Sequence, residues 1–202
     1  MKKIISMISA IVVCLALAGC KKSQTSFDKF ENLELVRTGF VDRIVYYDLE
    51  SLETASDIAV IGKFIGETEQ KEEYHYSEFF GKDILHWVSS TNTIEVKKVL
   101  MGDVNVGDKL KVTQWYGIVD DKLITFSNLT PIQKGDEWVF FLELEPTIDN
   151  CYWCTGDSDG RYPVSNSSNN PMPLSECPEL GVYDEMDFKN EIYSEILERY
   201  DI

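Results

Sequence analysis

Gly135-Asp136-Glu137-Trp138-Val139-Phe140-Phe141-Leu142-Glu143-Leu144 is the stretch on which the fold turns. A Gly-Asp turn signal opens it. In an extended chain successive side chains point to opposite faces, so Trp138, Phe140 and Leu142 share one face while Val139 and Phe141 share the other. Both faces are apolar at the centre of the run, which predicts a central, deeply buried strand. Pro146, which has no backbone N–H to donate, ends it.

Upstream, Asp57-Ile58-Ala59-Val60-Ile61-Gly62-Lys63-Phe64-Ile65-Gly66 is a strand rich in β-branched residues. Gly62 and Gly66 within it predict a bulge or sharp bend of the kind closed barrels require. Asp48 to Ala55 suits a helical turn. Glu67 to Lys82 is polar, acidic and aromatic by turns and reads as a long loop or hairpin tip. Ile84–Val88 and Thr93–Leu100 read as two strands or one long bent strand, broken by Met101-Gly102-Asp103. Lys109 to Trp115 alternates strictly, giving a half-buried strand, and Leu123 to Phe126 makes another short one. Downstream, Tyr152–Thr155 and Arg161–Val164 flank Gly156-Asp157-Ser158-Asp159-Gly160 and read as a hairpin. Ser165 to Pro178 is an irregular Ser/Asn/Pro segment. The chain closes on a helix with Asp184 as candidate N-cap and an apolar stripe of Met186, Ile192, Tyr193, Ile196 and Tyr200. Consecutive strands with Gly-Asp turns favour an antiparallel barrel or sandwich over alternating βαβ units.

Ser56-Asp57-Ile58-Ala59-Val60-Ile61-Gly62-Lys63, Ile94 to Gly102, Lys109-Leu110-Lys111-Val112 and Lys134 to Leu142 follow in an order similar to the barrel of the netrin-module group. These are the OB-like domains that include the tissue inhibitors of metalloproteinases. Over residues 55–145 the resemblance implies a mainly β chain: a small antiparallel OB-like barrel used for binding, with a C-terminal α-helix. Protease inhibition does not follow. The inhibitors use a free N-terminal cysteine on the protease zinc, whereas the first mature cysteine here is far upstream of the barrel, and their disulfide framework is absent.

The N-terminus has a separate logic. Met1-Lys2-Lys3 precedes an apolar run from Ile4 to Leu17, and then Leu17-Ala18-Gly19-Cys20. The order basic, apolar, small is that of a secretory signal, and Cys20 after Leu-Ala-Gly resembles the lipobox of bacterial lipoproteins. The resemblance implies removal of residues 1–19, diacylation of Cys20 and a location on the extracytoplasmic face of the cell membrane. Ala16-Leu17-Ala18 offers the alternative of ordinary cleavage. The apolar run is too short to cross ~30 Å of hydrocarbon at ~1.5 Å per residue. The implied organisation is a signal over 1–19 and a lipidated tether over 20–27. A barrel domain with an N-terminal extension then covers 28–182 (barrel core about 55–165), and a terminal helix covers 183–202.

Apolar content of 44% and aromatic content of 12% indicate a folded globule. The formal net charge of −16 becomes more negative once Lys2 and Lys3 leave with the signal, and such a surface repels phosphates, so no nucleic-acid partner is expected. Cys14 leaves with the signal. Cys151, Cys154 and Cys177 remain outside the membrane, where disulfides persist, and a bridge from Cys177 to Cys151 or Cys154 is the structural expectation. Cys151-Tyr152-Trp153-Cys154 is also a CxxC. Its flanks predict a strand entering a turn, without the helix N-terminus that lowers a redox thiol's pKa, and neither His75 nor His86 has zinc-ligand spacing to it. Asp157-Ser158-Asp159-Gly160 lacks the glutamate that completes a calcium loop. No catalytic set, metal or cofactor is implied. Trp115, Tyr116, Tyr152 and Trp153 fall at strand ends, where aromatics at a barrel mouth can stack on a ligand. The expectation is a non-enzymatic, membrane-anchored binding domain for a protein, peptide or small molecule. The alternative is a thiol- or metal-dependent extracytoplasmic enzyme built on Cys151, Cys154 and Cys177.

Overall fold

The computed structural model describes residues 33–37, 44–125, 131–132, 135, 137–156, 160–164 and 183–202. The signal, Cys20, the tether, Cys177 and the Ser165–Pro178 segment lie outside the described residues. In chain order the elements are β1 (Glu34–Arg37), α1 (Leu49–Thr54), β2 (Ile58–Ser77), β3 (Lys82–Met101), β4 (Lys109–Gln114), β5 (Tyr116–Val119), β6 (Lys122–Thr125), β7 (Glu137–Leu144), β8 (Cys151–Cys154), β9 (Arg161–Pro163) and α2 (Tyr183–Tyr200).

Five strands close a barrel in the order β2-β3-β4-β8-β7, with β7 returning to pair with β2. Neighbours are antiparallel except β4 and β8, which run parallel. The molecule is therefore mainly β, a small OB-like barrel with a C-terminal helix. Strand β7 is central, as its sequence dictates. Trp138, Phe140 and Leu142 point into the barrel core with Val60, Phe64, Ile94, Val96 and Val112. Val139 and Phe141 point outward into a second core with Leu49 and Leu52 of α1, Tyr162 of β9, and Ile192 and Ile196 of α2. Helix α1 is capped by Asp48, whose side chain accepts from the Ser51 amide at 2.7 Å. Helix α2 begins at Tyr183, so Asp184 lies within its first turn and not at the cap. Glu53 of α1 accepts from both Arg199 and the Tyr200 hydroxyl, clasping the two helices. One outer wall of the barrel (β2, β7, β9) is thus overlaid by helices.

Gly62 meets the packed interior at close quarters: a Cβ there would lie 2.5 Å from Ile94 Cδ1 and 3.1 Å from Phe140 Cδ2. Gly66 sits at φ 95°, open to glycine at little cost, where the β2–β3 register shifts between Phe64 and Thr68.

Three segments depart from the sequence reading. Glu67 to Ser77 is not loop but the continuation of β2, and β3 is a single strand from Lys82 to Met101, so the pair forms a long ribbon extending past the barrel. His75, expected in a loop, is on β2. The segments around Tyr152 and Arg161 do not pair as a hairpin. Both bind the same edge of β7, with Leu142–Leu144 taken by β8 and Trp138–Phe140 by β9. Finally, β1, β6 and β5 form a separate three-stranded sheet, in which β6 is central. The sheet packs Val36, Val119 and Ile124 against Leu85, Trp87, Val88 and Trp115 at the base of the ribbon.

Candidate functional site

On the outer wall made by β3, β4 and β8, away from the helices, three tryptophans come together. Burial alternates along β3 from Ser90 to Val96, with Ile94 and Val96 in the barrel core beside Val112 of β4 and Tyr152 and Cys154 of β8. Trp153, between Tyr152 and Cys154, therefore faces outward, Trp87 packs at the edge of the small sheet, and Trp115 follows directly after β4. Trp115 stacks on Trp153 with ring centroids 4.9 Å apart and planes 22° from parallel. Trp87 meets Trp115 edge-on, 5.4 Å away at 86°. All three are partly buried. The parallel β4–β8 pairing makes this possible by placing Thr113 and Trp153 directly abreast.

Polar groups fix the ends of the row. The Trp153 indole donates from Nε1 to Glu145 Oε2 at 2.7 Å. The Thr147 hydroxyl, then the Trp153 indole and the Thr147 amide, hold the Glu145 carboxyl below the usual carboxylate range. At the far end the Lys71 ammonium lies 5.2 Å from the Trp87 ring centroid. Thr91 and Thr113 share a hydroxyl hydrogen bond of 2.8 Å on the same wall. The row sets partly buried indoles beside hydroxyl and carboxylate groups, an arrangement that can bind by stacking and hydrogen bonding.

Of the four aromatics singled out from sequence, the structure brings Trp115 and Trp153 together. It places Tyr116 and Tyr152 inside. Tyr116 is 2% exposed, its hydroxyl 3.1 Å from Asn92 Oδ1, and Tyr152 belongs to the barrel core. Strand parity is the reason, since each is the neighbour in sequence of an outward tryptophan. Burial raises the Tyr116 pKa, against the opposing effects of its hydrogen bond to Asn92 and the charge of Arg161. Trp87 was not among the sequence candidates. No periodic signal marks it, because Val88, Ser89 and Ser90 after it are all buried and the β2–β3 register shifts beside it.

Cys151 and Cys154 are both buried, and the extended strand puts them on opposite faces of β8. Cys154 lies in the barrel core, whereas Cys151 Sγ is 3.4 Å from Thr113 Oγ1 on the outer side. Their pairing with Cys177 falls outside the described residues. Among the described residues, no three His, Cys, Asp or Glu side chains group so as to hold a metal ion. Asp157 to Asp159 are outside the described residues. His75 and His86 stack at 4.0 Å on the exposed ribbon, with His75 Nε2 2.8 Å from Glu73 Oε1.

A polar group of side chains also lies inside the barrel. Arg161, 5% exposed, donates to Gln114 Oε1 at 3.3 Å and stacks its guanidinium 4.5 Å from the Trp138 ring. Because Arg161 only donates, Gln114 must present its oxygen, which leaves Gln114 Nε2 buried without an acceptor.

No helix of the described residues is long and apolar enough to cross a membrane. Comparison with protein-family models, with curated proteins and with solved structures finds no match to this chain.

Proposed function

We propose that this protein is a lipid-anchored, extracytoplasmic, non-enzymatic binding module whose ligand face is the Trp87–Trp115–Trp153 row. The carrying observation is the stack itself: indoles from three separate segments converge on the wall that the helices do not overlay, where Trp87 and Trp115 also pack against the small β1–β6–β5 sheet. In OB-type barrels the second and third strands and the loops beside them form the common ligand face. Counting barrel strands from β2, those are β3 and β4, which carry Trp87 and end at Trp115. That correspondence is an analogy of fold, and the tryptophans supply the chemistry. Stacking on indole suits a sugar ring or a flat or cationic side chain of a peptide. The acidic surface turns anionic ligands away and favours neutral or cationic ones. The anchor rests on Leu17-Ala18-Gly19-Cys20 and would keep the module at the outer face of the cell membrane.

The test is photo-cross-linking on intact cells. A photoreactive residue at Thr93 on the tryptophan wall should capture a discrete partner that the same probe at Glu191 on α2 does not. Trp115→Ala and Trp153→Ala should each abolish that adduct while leaving the fold intact.

A further inference from the structure

The β2–β3 ribbon ends in a tip that is apolar and uncovered. Ser77 and Lys82 close the ladder, Gly81 donates its amide to the Ser77 carbonyl at 2.8 Å, and Gly81 takes φ 64° to complete the turn. At its apex Phe79 is 89% exposed and Phe80 62%, the two rings edge-to-face at 4.9 Å. Tyr74, Tyr76 and Ile84 are also exposed just behind them. Scattered apolar residues on a surface need no explanation, but five on one projecting hairpin do.

Where the chain enters the fold says what meets this tip. Strand β1 runs parallel to β6, with Glu34 abreast of Lys122 and ion-paired to it at 2.9 Å. Lys122 follows the Asp120-Asp121 turn that joins β5 to β6. That turn lies against the ribbon. Gln70 clamps Ile118 through both its amide groups, at 2.7 and 3.0 Å. Beyond it, Asp120 is near enough to add to the upward push on the Tyr74 hydroxyl that Glu72 and burial exert first. The chain therefore enters at the end of the molecule from which the ribbon projects. Only residues 21–32 separate Cys20 from Leu33, a reach of at most roughly 45 Å. From Tyr74 to Phe79 the ribbon extends roughly 15 Å further. An anchored Cys20 thus lets the tip reach the membrane from the side on which the chain enters.

We infer that the Phe79–Phe80 tip is a membrane contact, seated in the interfacial layer of a zwitterionic lipid surface. The inference rests on the anchoring proposed above. The layering fits: phenylalanines lead, and Tyr74 and Tyr76 sit behind them at the depth where amphipathic rings favour headgroups. Glu72, Glu73, Glu78 and Asp83 outnumber Lys71 and Lys82 around the tip, which selects neutral over anionic headgroups.

The experiment uses the mature chain purified from cells expressing the full sequence and mixed with phosphatidylcholine vesicles, read by flotation and by quenching from lipids brominated near the interface. Phe79→Trp adds an indole at a site too exposed to disturb folding. The chain should float, and brominated lipid should cause a loss of the added emission, as expected for an indole at interfacial depth. A chain that floats without quenching beyond that of the unsubstituted protein overturns the tip contact and leaves anchoring intact. Blue-shifted added emission that bromine does not quench would place the tip in a protein pocket or a second copy, and also overturns it. A chain that does not float overturns the anchoring, and the tip contact falls with it.

Discussion

Replacing Phe140 by alanine probes the barrel closure most sharply. The side chain is fully buried in the middle of β7, whose backbone pairs with Val60 of β2 on one edge and Arg161 of β9 on the other. Its ring occupies space left open by Gly62, where even a Cβ would come within 3.1 Å of Phe140 Cδ2. Glycine has no side chain to move into the void, and strands bound on both edges resist collapse. The loss should therefore fall in the upper part of the ~3–5 kcal/mol range for Phe→Ala in a core. For a chain of this size that corresponds to a Tm lower by roughly 6–20 °C. Equilibrium urea unfolding of the purified protein measures it, with Leu144→Ala as comparison. Leu144, on the same strand, is 46% exposed and should lose less than ~1 kcal/mol. Equal losses at the two positions, or a Phe140→Ala loss below ~1.5 kcal/mol, would refute β7 as the central strand.

Further expectations follow from individual contacts. Gln114→Leu removes the acceptor of a buried Arg161 N–H and should cost ~1–3 kcal/mol in the same assay. Trp153→Ala, which loses one stacking partner at a partly buried position, should cost only ~1–2 kcal/mol. Glu145 is held below its ordinary pKa by groups that include the Trp153 indole, so its support of the row is complete above ~pH 4.3. That support is lost as pH falls through the lower folded-state value. Tryptophan emission should change in that acid range, and Glu145→Gln should remove the transition. Cys20→Ala should release the protein from the detergent phase on partitioning, and mass spectrometry of the mature N-terminus should find no lipid.

The legible parts of the sequence were those where burial imposes a period. Trp138 to Leu142 is apolar on both faces because both faces are packed, and Ile192 and Ile196 recur at helical spacing because α2 lies on Val139 and Phe141. The upper ribbon was illegible for the converse reason. Both of its faces meet water beyond Leu85, so Glu72, Tyr74 and Tyr76 mix with charges and no alternation marks a strand. The Asp120-Asp121 turn takes φ 50° and 59° with aspartate in place of the glycine that usually signals such a hairpin. The choice of β7 as shared partner for β8 and β9 depends on residues far apart in sequence, which local turn chemistry between Thr155 and Gly160 does not encode. Two of the three tryptophans of the wall, Trp115 and Trp153, were visible. Their neighbours Tyr116 and Tyr152 are equally aromatic, and only strand parity separates wall from core.

Cross-linking from Thr93 on cells carrying the intact protein, with Trp115→Ala and Trp153→Ala run in parallel, decides whether the Trp87–Trp115–Trp153 wall binds. A single adduct should form, and either variant should abolish it while still unfolding in one cooperative urea transition. An adduct that survives both variants, or that forms only from Glu191 on the helical wall, would contradict it.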